Sequence, residues 1–155
     1  MRFLILGPVK VVDGDRSIVP TGRRQATVLA ILLANAGQVI PLERLVDAVW
    51  EDDPPATARR QIQNDVSALR RALSGGGARD SSIVNDGRGY RIVPRPGELD
   101  AQVFTDLVAE ALDQARADAS AAAVKLRSAL RLWRGPALSG LSGPAVDAVV
   151  VRLEE

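Results

Sequence analysis

Thr57, Arg60, Asn64, Ser67 and Arg71 recur at intervals of three and four. At ~100° per residue that spacing places all five on one face of a helix. Guanidinium, amide and hydroxyl groups are the ones that pair with base edges and phosphates. The face carries no carboxylate; Asp65 lies on its flank. On the opposite side Ile62, Val66, Leu69 and Leu73 fall at i, i+4, i+7 and i+11, one apolar stripe. The stretch Pro55 to Leu73 therefore predicts a helix that docks its stripe on a small domain and offers its polar side to DNA. An ordinary amphipathic surface helix would carry the same pattern.

Other chemistries find little support. The 155 residues contain no histidine and no cysteine. That removes the commonest general base and metal ligand, any thiolate site and any disulfide framework. No nucleophile-elbow pattern occurs, and Asp52 and Asp53, adjacent in a loop, would seldom converge on one site. An enzyme is not expected, nor is a cofactor. The 46% hydrophobic content is enough for a core, and with aromatics at 3% that core must be aliphatic. No apolar run reaches the ~18 residues of a membrane span. Gly7-Pro8 interrupts the apolar N-terminus and no cleavage-site pattern follows, so neither a signal peptide nor a membrane partner is expected and the cytoplasm is the expected compartment. Residues 1–95 hold 14 basic and 10 acidic residues, residues 96–155 hold 6 and 9. A mildly basic first half suits a polyanion; the second half does not. Eighteen of the 20 basic residues are Arg, the fork that grips guanine and phosphate, though a GC-rich genome would give the same bias.

Around the polar helix the chain reads in order. Phe3 to Leu6 and Val9 to Val12 are strands with Gly7-Pro8 as a bulge or break. Asp13-Gly14-Asp15 turns, and Ser17 to Val19 returns, completing a β-meander. Thr21 predicts the N-cap of a first helix from Gly22 to Asn35, with Ala26, Leu29, Ala30 and Leu33 inward and Gly37 as the stop. Arg23 and Arg24 oppose the macrodipole in its first turn. A phosphate nearby would account for them; solvated surface arginines are the plainer reading. Val39-Ile40 is an extended link. Pro41 opens a second helix at N1, with Leu42, Leu45, Val46 and Val49 inward and Trp50 closing it. Glu51-Asp52-Asp53-Pro54-Pro55 is a stiff, exposed loop whose prolines stop that helix. The third helix ends in Ser74-Gly75-Gly76-Gly77. Ile83-Val84 and Tyr90 to Val93 form a hairpin with Arg88 between two glycines at its tip, slim enough for a minor groove. Helix, helix, helix, hairpin is the order of a winged helix, whose third helix enters the major groove.

Pro94 to Gly97 reads as a semi-rigid linker and domain boundary. Beyond it the chain is helical. Asp100 can cap a helix through Gln114, with Phe104, Leu107, Val108, Ala111 and Leu112 inward. A second helix runs from about Ser120 to Trp133, with Val124, Leu126, Leu130 and Trp133 among its apolar positions. Gly143-Pro144 opens a third, with Val146, Val149, Val150 and Leu153 inward. The hairpins resemble tetratricopeptide-type repeats without the full repeat signature.

The meander, then QVIPLERLVDAVW, the loop, VSALRRAL and GRGYRIV resemble the OmpR-type winged helix. The second half is similar to the bacterial transcriptional activator domain of the Streptomyces antibiotic regulatory protein family. The resemblance implies an α+β fold: an OmpR-type winged helix over residues 1–94, a linker over 95–98 and the N-terminal part of an all-α, tetratricopeptide-like activator domain over 99–155. It implies an activator of antibiotic gene clusters that binds double-stranded DNA at promoter direct repeats, as a homodimer and at the nucleoid. It turns Arg60, Asn64, Ser67 and Arg71 to DNA, with Gln61 and Arg70 near the backbones. Trp50 matches a tryptophan whose indole N–H can reach a phosphate, though a half-buried core role fits equally. Glu51, Asp52, Asp53, Pro54 and Pro55 match a loop that contacts RNA polymerase holoenzyme. The chain departs from many relatives at Ala68, where they carry a basic residue. The family's helical domain is longer, so the chain is expected to be a fragment, a short form, or one completed by a partner. The alternative is a winged helix used for protein contacts, which should show Leu, Tyr or Trp anchors on the third helix.

Overall fold

Alternating apolar residues near the N-terminus give three short strands, β1 (Arg2–Leu4), β2 (Lys10–Asp13) and β3 (Arg16–Ile18). They form an antiparallel sheet in the order β1-β2-β3, with Phe3 opposite Val11 and Val12 opposite Ser17. Gly7-Pro8 is neither bulge nor break within a strand; it lies in the reversal between β1 and β2. The structure, a computed structural model, describes residues 1–75 and 82–155. Gly76 and Gly77, expected in the stop of the third helix, lie outside the described residues.

Helix α1 (Gly22–Ala34) is the centre of the molecule. Every residue from Thr27 to Leu33 is buried, a wider face than the expected stripe, because the next two helices, the last helix and a wing strand all pack on it. Thr21 does not cap it through its side chain; the Thr21 N–H instead donates to Gln25 Oε1 at 3.2 Å. Ile40–Pro41 is not a free link but a strand, β4, which places Pro41 at the N-cap of α2 (Leu42–Trp50) rather than at N1. That helix stops before the prolines. Glu51 takes a left-handed conformation (φ 56°) and its N–H donates to Asp47 O at 2.8 Å. Helix α3 (Ala58–Ser74) follows and ends on Gly75 at φ 63°, a conformation that costs glycine little. The wing is β5 (Ile83–Asn85) and β6 (Gly89–Ile92), and β4 makes it a three-stranded sheet in the order β4-β6-β5. A Cβ on Gly89 would stand 2.0 Å from Ile40 O, so only glycine lets β4 approach β6 there.

The second half is α4 (Asp100–Gln114), α5 (Ala119–Leu130) and α6 (Pro144–Glu154). α4 and α5 pair as a hairpin, with Phe104 edge-on to Trp133 at 5.6 Å and Lys125 ion-paired to Glu110 at 2.6 Å. Leu112, Val124, Leu126 and Leu130 are exposed, so Leu112 is not part of the buried face of α4. α6 does turn inward: Val146 and Val149 join the core beside α1 and α2, with Val150 and Leu153 packed partly against it.

Asp100 is not an ordinary cap. It is the first residue of α4, buried, and its carboxylate accepts from the N–H groups of Ile5 (2.9 Å), Leu6 (3.0 Å) and Ala101 (2.8 Å). The carbonyls of Ile5 and Leu6 accept from Leu138 N–H at 3.1 Å and Arg134 N–H at 2.8 Å. All four backbone groups of these two buried residues are thus answered from the second half of the chain, as burial requires. Burial pushes the Asp100 carboxyl above its ordinary value, opposed by the three N–H donors and by Arg134. Asp100→Ala should lose about 2–4 kcal/mol in urea unfolding, since two buried N–H groups lose their acceptor. Asp100→Asn should lose less. A raised folded pKa means the native state holds this proton more tightly. The stability difference between the parent and Asp100→Asn should therefore shrink as pH rises from about 4 through the raised value. A difference that grows over that range contradicts the assignment.

Candidate nucleic-acid interface

The rotation of α3 about its axis is set by what it buries. Ala58, Ile62, Val66, Leu69 and Leu73 all enter the core against α1 and α2. Full burial of each of the four larger side chains stabilises by roughly 1.5–3 kcal/mol. The stripe therefore fixes the opposite face outward: Thr57, Arg60, Asn64, Ser67, Arg70 and Arg71 are exposed, and Gln61 is half-buried. Among the described residues, the side chains of Arg60, Asn64, Arg70 and Arg71 make no hydrogen bond or ion pair within the chain. Ser67 Oγ donates to Gln63 O at 2.9 Å and keeps its lone pairs free to accept. None of the exposed large hydrophobic side chains among the described residues lies on α3.

Asp65 is the exception on this helix. On its flank position it is buried beside the stripe, where an unpaired carboxylate would be costly. Arg24 compensates it: Nε and Nη2 both reach the carboxylate, the latter at 3.2 Å. Arg24, though partly exposed, is therefore not a free surface arginine, and no phosphate is needed to explain it. Asp65 holds the Arg24 guanidinium pKa above its ordinary value. The remaining nitrogen, Nη1, donates to Gln61 Oε1 at 2.7 Å, and Gln61 Nε2 donates to Thr57 Oγ1 at 2.9 Å. Trp50 is half-buried against the core with the Arg24 guanidinium 6.0 Å over its ring. Sequence reasoning passed over the Arg24–Asp65 pair because only helix packing joins residues 41 positions apart. The readable signal was a carboxylate bordering an apolar stripe. Arg23, its neighbour, reaches the second half instead, donating to Ser142 O at 3.0 Å. Arg59 is taken up by Glu43 across the α2–α3 corner at 2.5 Å, an exposed pair worth at most about 1 kcal/mol.

Arg88 stands apart from α3, exposed on the turn between β5 and β6. Asn85 and Asp86 stiffen that turn. Asn85 Oδ1 accepts from Gly87 N–H at 2.8 Å, and Asp86 Oδ1 accepts from the N–H groups of Arg88 and Gly89 at 3.1 and 3.3 Å. The loop Glu51, Asp52, Asp53, Pro54, Pro55 is exposed throughout. Its first residue leans on the second half: Glu51 Oε1 lies 3.2 Å from where a Cβ on Gly143 would stand. A shallow cleft beside it is lined by Arg44, Asp47, Glu51, Asp52, Pro144 and Ala145 among others. The described residues contain no cluster of side chains suited to a metal ion, and no helix among them is long and apolar enough to cross a membrane.

A three-helix core with a hairpin wing and an unobstructed, carboxylate-free third-helix face is the architecture of a winged-helix regulator. The family model described as "Transcriptional regulatory protein, C terminal" matches residues 15–92, and that of the "Bacterial transcriptional activator domain" matches residues 99–155. The chain is 34% identical to regulatory protein AfsR of Streptomyces griseus over its whole length, which is 16% of AfsR. It is 31% identical to regulatory protein DnrI of Streptomyces peucetius, again over its whole length and over 60% of DnrI. A solved structure of Mycobacterium tuberculosis EmbR, in complex with a low affinity phosphopeptide, superposes over 99% of this chain and 41% of EmbR with a TM-score of 0.93 at 30% identity. The chain belongs to the Streptomyces antibiotic regulatory protein family, with an α+β fold of winged helix and helical segment. It spans less than two thirds of each of these relatives: 16% of AfsR, 60% of DnrI and 41% of EmbR.

Arg24→Ala strands the buried Asp65 carboxylate and should lose about 2–3 kcal/mol in chemical unfolding, less than a fully buried pair because Arg24 is partly exposed. Adding Asp65→Asn in that background should recover part of the loss. No recovery would mean that the charge is not what the guanidinium compensates.

Proposed function

We propose that this chain is the DNA-reading part of a transcriptional activator, with residues 1–94 as the DNA-binding unit and residues 99–155 as the first part of a helical activator domain. It binds double-stranded DNA sequence-specifically, with α3 in the major groove and Arg88 at the neighbouring minor groove. The observation that carries this reading is the outward face of α3. Its guanidinium, amide and hydroxyl groups are exposed, and those of Arg60, Asn64 and Arg71 are without partners among the described residues. Arginine there pairs bidentately with guanine and asparagine with adenine. The absence of an exposed apolar anchor on α3, among the described residues, speaks against a protein-contact role for this face. Family membership supports the finer reading: promoters of antibiotic or related secondary-metabolite clusters, direct repeats occupied by a homodimer in the bacterial cytoplasm, and RNA polymerase holoenzyme engaged through Glu51 to Pro55. The loop is exposed throughout, as a contact for a second macromolecule requires.

Arg60→Ala and Asn64→Ala should each lose on the order of 1–3 kcal/mol of discrimination between preferred and unrelated duplexes. Arg88→Ala should weaken binding evenly across sequences and flatten the salt dependence. The measurement is binding at two salt concentrations to a duplex selected by the parent from a random pool. Unchanged discrimination in both α3 variants would sink the groove assignment. For the loop, Asp52→Ala and Asp53→Ala should lower transcript levels from a reporter promoter and leave DNA affinity intact. Equal transcript from parent and variants would remove the polymerase contact from the account.

A further inference from the structure

The contacts of Arg24 impose a direction on the hydrogen bonds that lead from it to the surface. A guanidinium has five donors and no acceptor. Gln61 must therefore turn Oε1 to Arg24 Nη1, which it meets at 2.7 Å, and the amide cannot flip without placing donor against donor. Its Nε2 is then committed to Thr57 Oγ1 at 2.9 Å, where the threonine oxygen accepts. A hydroxyl that accepts from within directs its single proton elsewhere. Thr57 is exposed at the start of α3, and no donor bond from its hydroxyl occurs among the described residues. The anchor of this relay is Arg24, held by the buried Asp65 through two bonds.

We propose that Arg24 is a positioning residue which, through Gln61, fills one lone pair of the Thr57 hydroxyl from within and so directs its proton outward, to be donated to DNA. The partner is an acceptor: guanine O6 or N7, adenine N7, thymine O4, or a phosphate oxygen. Gln61 is then a part of the relay rather than a direct contact, and the first turn of α3 favours positions that offer an acceptor. This deepens the proposed groove reading and rests on it.

A double-mutant cycle tests the polarity. Thr57→Val removes the hydroxyl and keeps the shape; Thr57→Ser keeps the donor. Gln61→Glu retains the bond to Arg24 but accepts only, so it draws the Thr57 proton inward. On the duplex selected by the parent, Thr57→Val should weaken binding roughly tenfold in the parent and no more than about twofold in the Gln61→Glu background. Thr57→Ser should bind like the parent. The general repulsion of the added carboxylate cancels within the cycle. A loss confined to the selected duplex marks a base edge as the acceptor; an equal loss on an unrelated duplex marks a phosphate. The same loss from Thr57→Val in both backgrounds overturns the proposal. So does parent-like binding by Thr57→Val while Arg60→Ala and Asn64→Ala still lose discrimination, an outcome that leaves the groove reading intact. If none of the three variants affects binding, the groove reading itself has failed, and the proposal with it. A second readout uses the free parent chain. The Gln61 side-chain amide resonance should shift on Thr57→Val and stay in place on Thr57→Ser; no shift on Thr57→Val contradicts the relay.

Discussion

The burial of one narrow stripe on α3 governs the rest of this molecule. Ile62, Val66, Leu69 and Leu73 are 4% exposed or less, and a helix that turned by a single residue would rotate them out by ~100°. No such rotation is available without exposing all four and burying arginines in their place. The outward direction of Arg60, Asn64, Ser67 and Arg71 is thus a consequence of packing on the other side. Arg24 and Asp65 lock the same rotation by a different means, joining the start of α1 to the middle of α3. A directional ion pair adds specificity of position where the apolar contact alone is tolerant of small slides.

The helical half is attached to the winged helix by backbone hydrogen bonds and by shared core. Phe3 N–H donates to Glu98 O, Asp100 and the 134–138 segment complete the backbone bonding of Ile5 and Leu6, and Arg152 donates to Ala34 O at the C-terminal end of α1. A cation there also meets the negative end of the helix dipole. Val146 and Val149 share the core of α1 and α2. Through Gly143, the N-terminal end of α6 sits against Glu51 at the start of the acidic loop. The start of the proposed polymerase-facing loop thus lies beside the second half of the chain.

What was legible in the sequence was local. The α3 stripe, the Gly-Pro start of α6 and the hairpin around Arg88 were readable because period and turn chemistry are properties of neighbouring residues. What was not legible depended on residues far apart in the chain. Asp100 looks like a helix cap because Asp commonly is one, yet two of its three partners are 94 and 95 residues away. Gly89 looks like an ordinary hairpin glycine, but β4 needs it for close approach, and β4 itself is only two residues long. Arg24 looks misplaced until α3 is packed against it. Val124 and Leu130 follow the helical period of a buried face yet are exposed, because the period of a helix says which side is apolar and not what covers it.

The central claim is that the outward face of α3 reads bases in the major groove, and base-methylation interference on a bound duplex tests it most directly. Guanine N7 lies in the major groove and adenine N3 in the minor. The account predicts that methyl groups at guanine N7 inside the bound site block binding, and that adenine N3 methyl groups block only in the adjoining stretch reached by Arg88. Interference confined to adenine N3, or full binding with every guanine N7 in the site methylated, would contradict it.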